Sequence, residues 1–377
     1  MVPVFVAALL LIQERPRFAS VTAGGTHTCA IAVDSAAYCW GSNRWGQLGN
    51  GRRESLPSEF PTTGIEAYGM AGSLREAWPQ RVSGTVRFQT LSAGDRHTCG
   101  LSTDGRAFCW GFGAFGQLGS ARFQDEARPS PVAGGLRFRT ISAGGTHTCA
   151  VTLDAVPVCW GGNWHGQLGD GTTQNRPEPT PVAGQMRFRA IVAGGIHSCA
   201  VTPTGEGFCW GYGRTGRLGS GRLEQRDSPT PIQVQTEVKF TAISASFQSC
   251  AISVEGRAYC WGLQDWAMEA SPPPSALHPE PLLVPDRVTG IDVGSSHVCL
   301  TTSKPELYCF GADKYGQLGS SDSSPGARPI ALPGALVQAS AGGNDFSGHT
   351  CALVITRVIY CWGNNRWLQL GLNQKPH

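Results

Sequence analysis

The stretch Ile141–Gly169 reads ISAGGTHTCAVTLDAVPVCWGGNWHGQLG, and variants of it recur along the whole chain. The first cysteines of the successive copies are Cys29, Cys99, Cys149, Cys199, Cys250, Cys299 and Cys351. Their spacing is about 50 residues, except for a first step that is longer by about 20. The chain therefore consists of seven copies over residues 16–377, with an insertion at about 54–76.

Each copy has the residue pattern of short β-strands. Thr140–Ala143 and Cys149–Leu153 are short alternating runs, as half-buried strands require. Asp154-Ala155 marks a tight reversal, and Val158–Trp160 is the returning strand. A Pro-Val pair such as Pro131-Val132 is expected to open a fourth strand at the blade edge, where proline costs no ladder hydrogen bond. Four short antiparallel strands in each of seven units predict an all-β, seven-bladed β-propeller.

The copies resemble the regulator of chromosome condensation repeat family, and in particular its cysteine-paired bacterial branch. The matching marks are Ala-Gly-Gly-Thr-His-Thr at 143–148, Trp160-Gly161, and Gly-Gln-Leu-Gly at 46–49, 116–119, 166–169 and 316–319. The fifth copy departs most, with Phe247-Gln248-Ser249 in place of His-Thr or His-Ser, and the sixth has Phe310 in place of the motif tryptophan. The resemblance covers the whole chain and implies the fold, but fold alone does not specify function.

The cysteines fall into seven pairs, each with nine intervening residues and the strand reversal at the midpoint. This spacing places the two Cβ atoms opposite each other on adjacent strands and predicts seven disulfides within the hairpins. Reduced, buried thiols and a zinc site are the alternatives, although paired zinc cysteines usually lie two to four residues apart. Disulfides would place the protein in an oxidising compartment, which means periplasm, cell surface or secreted. The pairs are Cys29 and Cys39, Cys99 and Cys109, Cys149 and Cys159, Cys199 and Cys209, Cys250 and Cys260, Cys299 and Cys309, and Cys351 and Cys361.

Composition and motifs argue against several classes of function. The formal net charge of +3 gives no electrostatic case for nucleic acid, and charged residues make up only 15% of the chain. A catalytic histidine would be singular, whereas the motif histidine recurs around the ring and so predicts a structural hydrogen bond. No phosphate loop, nucleophile elbow or calcium loop is found. We therefore expect no enzyme activity, no cofactor, no metal and no small-molecule substrate.

The N-terminal segment 1–15 is apolar over Val2–Ile12 and lacks the basic start of a signal peptide. It is a closing strand, an anchor or a signal remnant. The last copy ends near Gly371 without an outer strand of its own, so Pro3–Ala7 is expected to supply that strand and close the ring.

Two features are candidate contact surfaces for a protein partner. The loop before Gly-Gln-Leu-Gly carries an aromatic residue that often follows an arginine, as protein hot spots do, although the aromatic residue also fits a packing role. The insertion carries further aromatic residues, and long loops in regular folds are often functional. The predicted protein-binding residues are Arg44, Trp45, Phe60, Tyr68, Trp164, His165, Arg366 and Trp367.

The sequence thus predicts a non-enzymatic, extracytoplasmic propeller that binds or scaffolds another protein. One form of this hypothesis is an accessory subunit on the periplasmic side of a membrane-embedded complex. The alternatives are an inhibitor of a secreted enzyme and a carbohydrate-binding propeller. The identity of the partner, the binding face and the oligomeric state stay open.

Overall fold

A computed structural model describes residues 16–54, 78–222, 226–263, 275–319, 329–344 and 347–371. The predicted strand at Pro3–Ala7 and the insertion residues Phe60 and Tyr68 lie outside this part of the chain. Within it, β-strands alternate with tight turns, and the helical structure consists of two short 3-10 turns at 133–135 and 214–216. No helix in the described residues is long and apolar enough to cross a membrane.

The strands follow one another blade by blade. Those of blades 1 to 4 are β1 (Phe18–Ala23), β2 (His27–Ala32), β3 (Ala37–Gly41), β4 (Gln80–Arg81), β5 (Phe88–Ala93), β6 (His97–Ser102), β7 (Ala107–Gly111), β8 (Glu126–Pro131), β9 (Phe138–Ala143), β10 (His147–Thr152), β11 (Pro157–Gly161), β12 (Arg176–Pro181), β13 (Ala190–Ala193), β14 (His197–Val201), β15 (Gly207–Gly211) and β16 (Ser228–Gln233). Those of blades 5 to 7 are β17 (Phe240–Ala245), β18 (Ser249–Ser253), β19 (Ala258–Leu263), β20 (Ser275–Leu282), β21 (Val288–Val293), β22 (His297–Thr302), β23 (Leu307–Gly311), β24 (Leu336–Asn344), β25 (Ser347–Val354) and β26 (Ile359–Gly363).

Each blade is an antiparallel sheet whose strands are paired in chain order, so the predicted seven-bladed propeller is confirmed. Blades 1 to 5 have four strands, and blades 6 and 7 have three in the described residues. The innermost strands line a central channel, and β24 packs beside β1, which closes the ring. Seven apolar clusters fill the spaces around the ring, and most of them join residues of two neighbouring blades.

The Pro-Val pairs were predicted to open the outer strands, and this prediction is wrong. Pro131 and Pro181 are the last residues of β8 and β12. Both prolines are exposed, while the N–H of the following residue Val132 donates to the carbonyl of Ala107 at 3.0 Å. The pair therefore ends the strand, because the proline points to solvent and the valine packs against the core.

All fourteen cysteines pair as predicted, with sulfur–sulfur distances of 2.02–2.11 Å. Each pair lies directly across the second and third strands of one blade, as Cys149 does from Cys159. The disulfides therefore fix the hairpin inside each blade and do not connect one blade to the next.

Candidate functional site

Neighbouring blades are joined by a repeated set of hydrogen bonds, which we call the clasp. Between blades 2 and 3, the backbone carbonyl of Gln117 accepts from Thr148 Oγ1 at 2.9 Å and from Trp160 Nε1 at 3.0 Å. The same hydroxyl lies 2.9 Å from His97 Nε2. The clasp thus uses the His, Thr, Trp and Gln of the sequence motif, so these motif residues have a structural role.

The clasp recurs at six of the seven boundaries between blades. Arg217 takes the place of glutamine between blades 4 and 5, where its carbonyl accepts from Ser249 and Trp261. Between blades 5 and 6 the equivalent side chains are Gln248, Val298 and Phe310, which cannot form it. The other clasps are centred on the hydroxyls of Thr98, Thr148, Ser198, Thr350 and Thr28.

The clasp fixes the protonation state of its histidines. The hydroxyl of Thr148 has one proton, which it donates to Gln117, so His97 Nε2 must be the donor and Nδ1 carries no proton. Burial lowers the pKa of His27, His97, His147 and His349 to about 3 and that of His297 to about 4. Burial also lowers the pKa of His197 well below its ordinary value. Six neutral imidazoles are therefore enclosed between the blades.

The Gly-Gln-Leu-Gly loop is a rigid turn that presents the two preceding residues to solvent. In blade 2, Gln117 Oε1 accepts the N–H of Phe115 at 3.0 Å, and Leu118 is fully buried. A Cβ on Gly119, which has φ +68°, would lie 2.7 Å from Trp160 Nε1, so the last position requires glycine. Because the first and third strands of a blade run in the same direction, these loops share one face with the turns that follow the innermost strands. We call it the motif face.

A row of aromatic rings crosses the motif face over blades 1, 2 and 3. Trp45 lies 4.8 Å from Phe112, Phe112 lies 5.3 Å from Phe115, and Phe115 meets Trp164 edge-on at 4.5 Å. The guanidinium of Arg44 lies 5.1 Å from the Trp45 ring at one end of the row. Trp164 is 47% exposed and the other three rings are half-buried, so the row both packs and offers ring edges to solvent.

A second aromatic contact joins blades 3 and 4. His165 meets Tyr212 edge-on at 4.9 Å, and its Nδ1 lies 2.7 Å from a carboxylate oxygen of Asp227. The buried guanidinium of Arg217 lies 4.8 Å from the Tyr212 ring. On blade 7, Arg366 lies over the ring of its neighbour Trp367 at 5.6 Å.

The structure thus brings some of the predicted binding residues together and leaves others apart. Arg44, Trp45 and Trp164 belong to the row, and His165 begins the second contact. Arg366 and Trp367 stack on each other. Sequence reasoning missed Phe112 and Tyr212, which link the rings of neighbouring loops. Their signal was an aromatic residue directly after Trp-Gly, where blades 1 and 3 have Ser42 and Gly162.

The motif face has more free positive than free negative charge. Its carboxylates at Asp125, Asp170 and Asp227 pair with Arg53, Arg176 and His165. Six exposed cations of the same loops have no ion-pair partner among the described residues, namely Arg44, Arg52, Arg122, Arg214, Arg222 and Lys314. Cations and aromatic edges are therefore presented side by side.

The central channel opens on the same face through a cavity of about 170 Å³. Its wall carries small residues and hydroxyls, with one buried carboxylate at Asp292. Asp292 accepts from Ser340 Oγ at 2.8 Å and from the N–H of Ala341 at 3.1 Å, which ties blade 6 to blade 7. Burial raises the pKa of this carboxyl. Sister blades have serine or threonine here, as at Ser142 and Thr22, so the sequence repeat alone could have revealed the substitution.

The blades, the clasps and the hairpin disulfides define a single-ring repeat propeller. The family model of the RCC1-like domain matches residues 2–268. The chain belongs to the RCC1-like domain family, as its repeat motifs predicted.

Comparison with known proteins gives partial sequence matches and extensive structural ones. Human E3 ubiquitin-protein ligase HERC2 is 28% identical over 145 residues, which are 36% of this chain and 3% of that protein. The structure of human WBSCR16 covers 90% of this chain and 87% of its own, with 20% identity and a TM-score of 0.74. Prp20p from Saccharomyces cerevisiae covers 86% and 80%, with 20% identity and a TM-score of 0.70. At this identity the structural matches establish the fold alone.

Proposed function

We propose that this propeller binds another protein through its motif face, outside the cytoplasm and without catalysis. The observation that carries the proposal is the aromatic row from Trp45 to Trp164, which lies beside unpaired arginines. Aromatic and arginine side chains are enriched at the energetic centres of protein interfaces. The row is held by rigid loops, so little conformational entropy is lost when a partner docks.

The charge of the motif face suggests the chemistry of the partner. Since the loop carboxylates already have partners, an acidic protein surface would meet cations that no internal group neutralises. Complementary charge raises association rates and selects against wrong partners. Arginine and aromatic edges together favour a protein over a neutral carbohydrate, which stays the alternative to be tested on a glycan array.

The compartment part of the proposal is supported by the seven disulfides. Disulfides persist in oxidising compartments and are rare in the cytosol. We place the protein in the periplasm, at the cell surface or among secreted proteins. An accessory subunit of a membrane-embedded complex and an inhibitor of a secreted enzyme are both specific forms of this role.

Related propellers support a protein partner. Prp20p has binding properties toward Gsp1p and histones, and a structure of Kap60 bound to it is known. These partners are named for Prp20p, and the loops of this chain are the part that would select its own.

The test is an affinity capture from the native source, followed by a binding titration with the protein that is recovered. The variant Trp45→Ala/Trp164→Ala removes both ends of the aromatic row. The control Val33→Ala/Leu153→Ala removes two exposed apolar side chains, 61% and 60% exposed, from turns on the opposite face. We expect the row variant to weaken binding at least about 10-fold and the control to leave it unchanged. Equal binding by the parent and the row variant would contradict the proposal.

A further inference from the structure

An uncovered apolar cavity lies at the outer edge of blade 7. Its volume is about 290 Å³, and its wall includes Phe18, Trp40, Ile359, Tyr360 and Leu370. Strand β26 forms this edge and has no outer partner strand in the described part of the chain.

The other six blades fill the equivalent space with one aliphatic side chain. This residue always lies six positions before the first core residue of the next blade, as Val82 precedes Phe88. Its backbone N–H donates to the first residue of the third strand, for example from Val182 to Pro157 at 3.0 Å. The six residues are Val82, Val132, Val182, Val234, Leu282 and Ile330.

The same count for blade 7 starts from Phe18, the first core residue of blade 1, and reaches Ile12. We propose that residues 6–11 form the outer strand of blade 7 and that the side chain of Ile12 fills the cavity. The N–H of Ile12 then donates to the carbonyl of Ile359, the counterpart of Pro157. The register differs from the strand at Pro3–Ala7 that the sequence suggested, because it is set by the distance to Phe18.

Two further observations favour this segment of the chain as the occupant. Pro16, the first described residue, lies in the cavity wall, so the preceding segment begins beside the space that it would fill. Val2–Ile12 is apolar, which matches the apolar lining. The propeller also needs no other blade to move, because β1 already packs against β24.

The register makes a prediction for the neighbouring residue Leu11. At the corresponding position the six other blades have side chains that are exposed and varied, namely Arg81, Pro131, Pro181, Gln233, Pro281 and Pro329. Leu11 should therefore point to solvent although it is as apolar as Ile12. This alternation distinguishes a docked strand from a merely apolar segment.

The experiment compares three variants of the full chain by urea unfolding. Ile12→Arg should raise the unfolding equilibrium constant on the order of 100-fold or more, because it removes a buried aliphatic side chain and introduces a charge. Leu11→Arg, which places the residue of blade 1 at this position, should change it by less than about threefold. Ile12→Val, which places the residue of four sister blades, should stay within about 10-fold of the parent.

The outcomes separate docking from the other roles of the segment. Failure of Ile12→Arg to fold, with Leu11→Arg folding normally, would support the proposal. Equal effects of Ile12→Arg and Leu11→Arg, or no effect of Ile12→Arg, would overturn it. So would loss of vesicle binding in both arginine variants with unchanged stability, which is the result expected of a membrane anchor. Intact mass analysis that shows the native chain starting after Ile12 would overturn it as well.

Discussion

Six imidazoles are held neutral inside the clasps, so the protein should lose stability steeply as the pH falls from 7 to 5. In the unfolded chain each of these histidines has an ordinary pKa near 6.5 and takes up a proton in this range. In the folded chain burial keeps the pKa of His97 at about 3, so the ring stays neutral. Folding therefore opposes protonation, and the contribution of each clasp histidine is complete above pH 6.5 and falls as the pH decreases toward the folded-state pKa.

The magnitude follows from linkage. Between pH 7 and pH 5 each buried imidazole should cost about 1.9 kcal/mol of unfolding free energy, and six should cost about 11 kcal/mol. The total stability of a domain is on the order of 5–15 kcal/mol. We therefore expect the ring to unfold near pH 5 at 25 °C, even with its disulfides intact.

The assay is urea unfolding followed by tryptophan fluorescence at several pH values from 5 to 7. The slope of unfolding free energy against pH gives the number of protons taken up on unfolding. In His97→Gln this slope at pH 5 should decrease by about 1.4 kcal/mol per pH unit, which corresponds to one proton. Glutamine already occupies this position in blade 5 as Gln248, where it is buried.

The exposed His278 provides the control. It lies outside the clasps, and His278→Gln should leave the slope of the parent unchanged apart from small surface effects. If His97→Gln and the parent take up the same number of protons at pH 5, the clasp histidine is not neutral in the folded chain. The assignment of donor and acceptor within the clasp would then be wrong.

Three further outcomes follow from the geometry. Gly119→Ala should cost about 3 kcal/mol or more because its Cβ meets Trp160, whereas Gly171→Ala, with φ +83° and open space, should cost only about 1 kcal/mol; thermal unfolding compares the two. Asp292→Ser should gain stability relative to the parent as the pH rises above about 4, since burial raises the pKa of the parent carboxyl and the charged form is disfavoured; urea titrations at pH 4, 6 and 8 would test this sign. Intact mass under non-reducing conditions should lie 14 protons below the fully reduced mass, and a smaller difference would count against the oxidising compartment.

Much of the fold could be predicted from the sequence because a repeat repeats its own constraints. The cysteine spacing determined the hairpin, and seven equivalent copies required a closed ring. The strand ends were less predictable. Pro131 carries no N–H, which shows that it avoids a ladder position, but this does not tell whether the strand starts or stops there.

The candidate site was only partly predictable, for a physical reason. The aromatic residue before Gly-Gln-Leu-Gly is visible in every copy, but its contact with Phe112 depends on the distance between neighbouring blades. The clasp was hidden because its acceptor at Gln117 is a backbone carbonyl, which every residue has. The counterpart of Val182 at Ile12 became evident only once the hydrogen bond to the third strand was known.

The absence of covalent links between blades has a consequence for how the chain could be rearranged. A circular permutant needs native ends that can be joined and a new opening that tolerates free termini. An opening between blades 2 and 3 would interrupt the clasp of His97, Thr148 and Gln117. An opening between blades 5 and 6 would interrupt none, because Gln248, Val298 and Phe310 do not form one. The boundary where the repeat is least regular is thus the place where a new start of the chain should be tolerated best, and no disulfide would have to be given up for it.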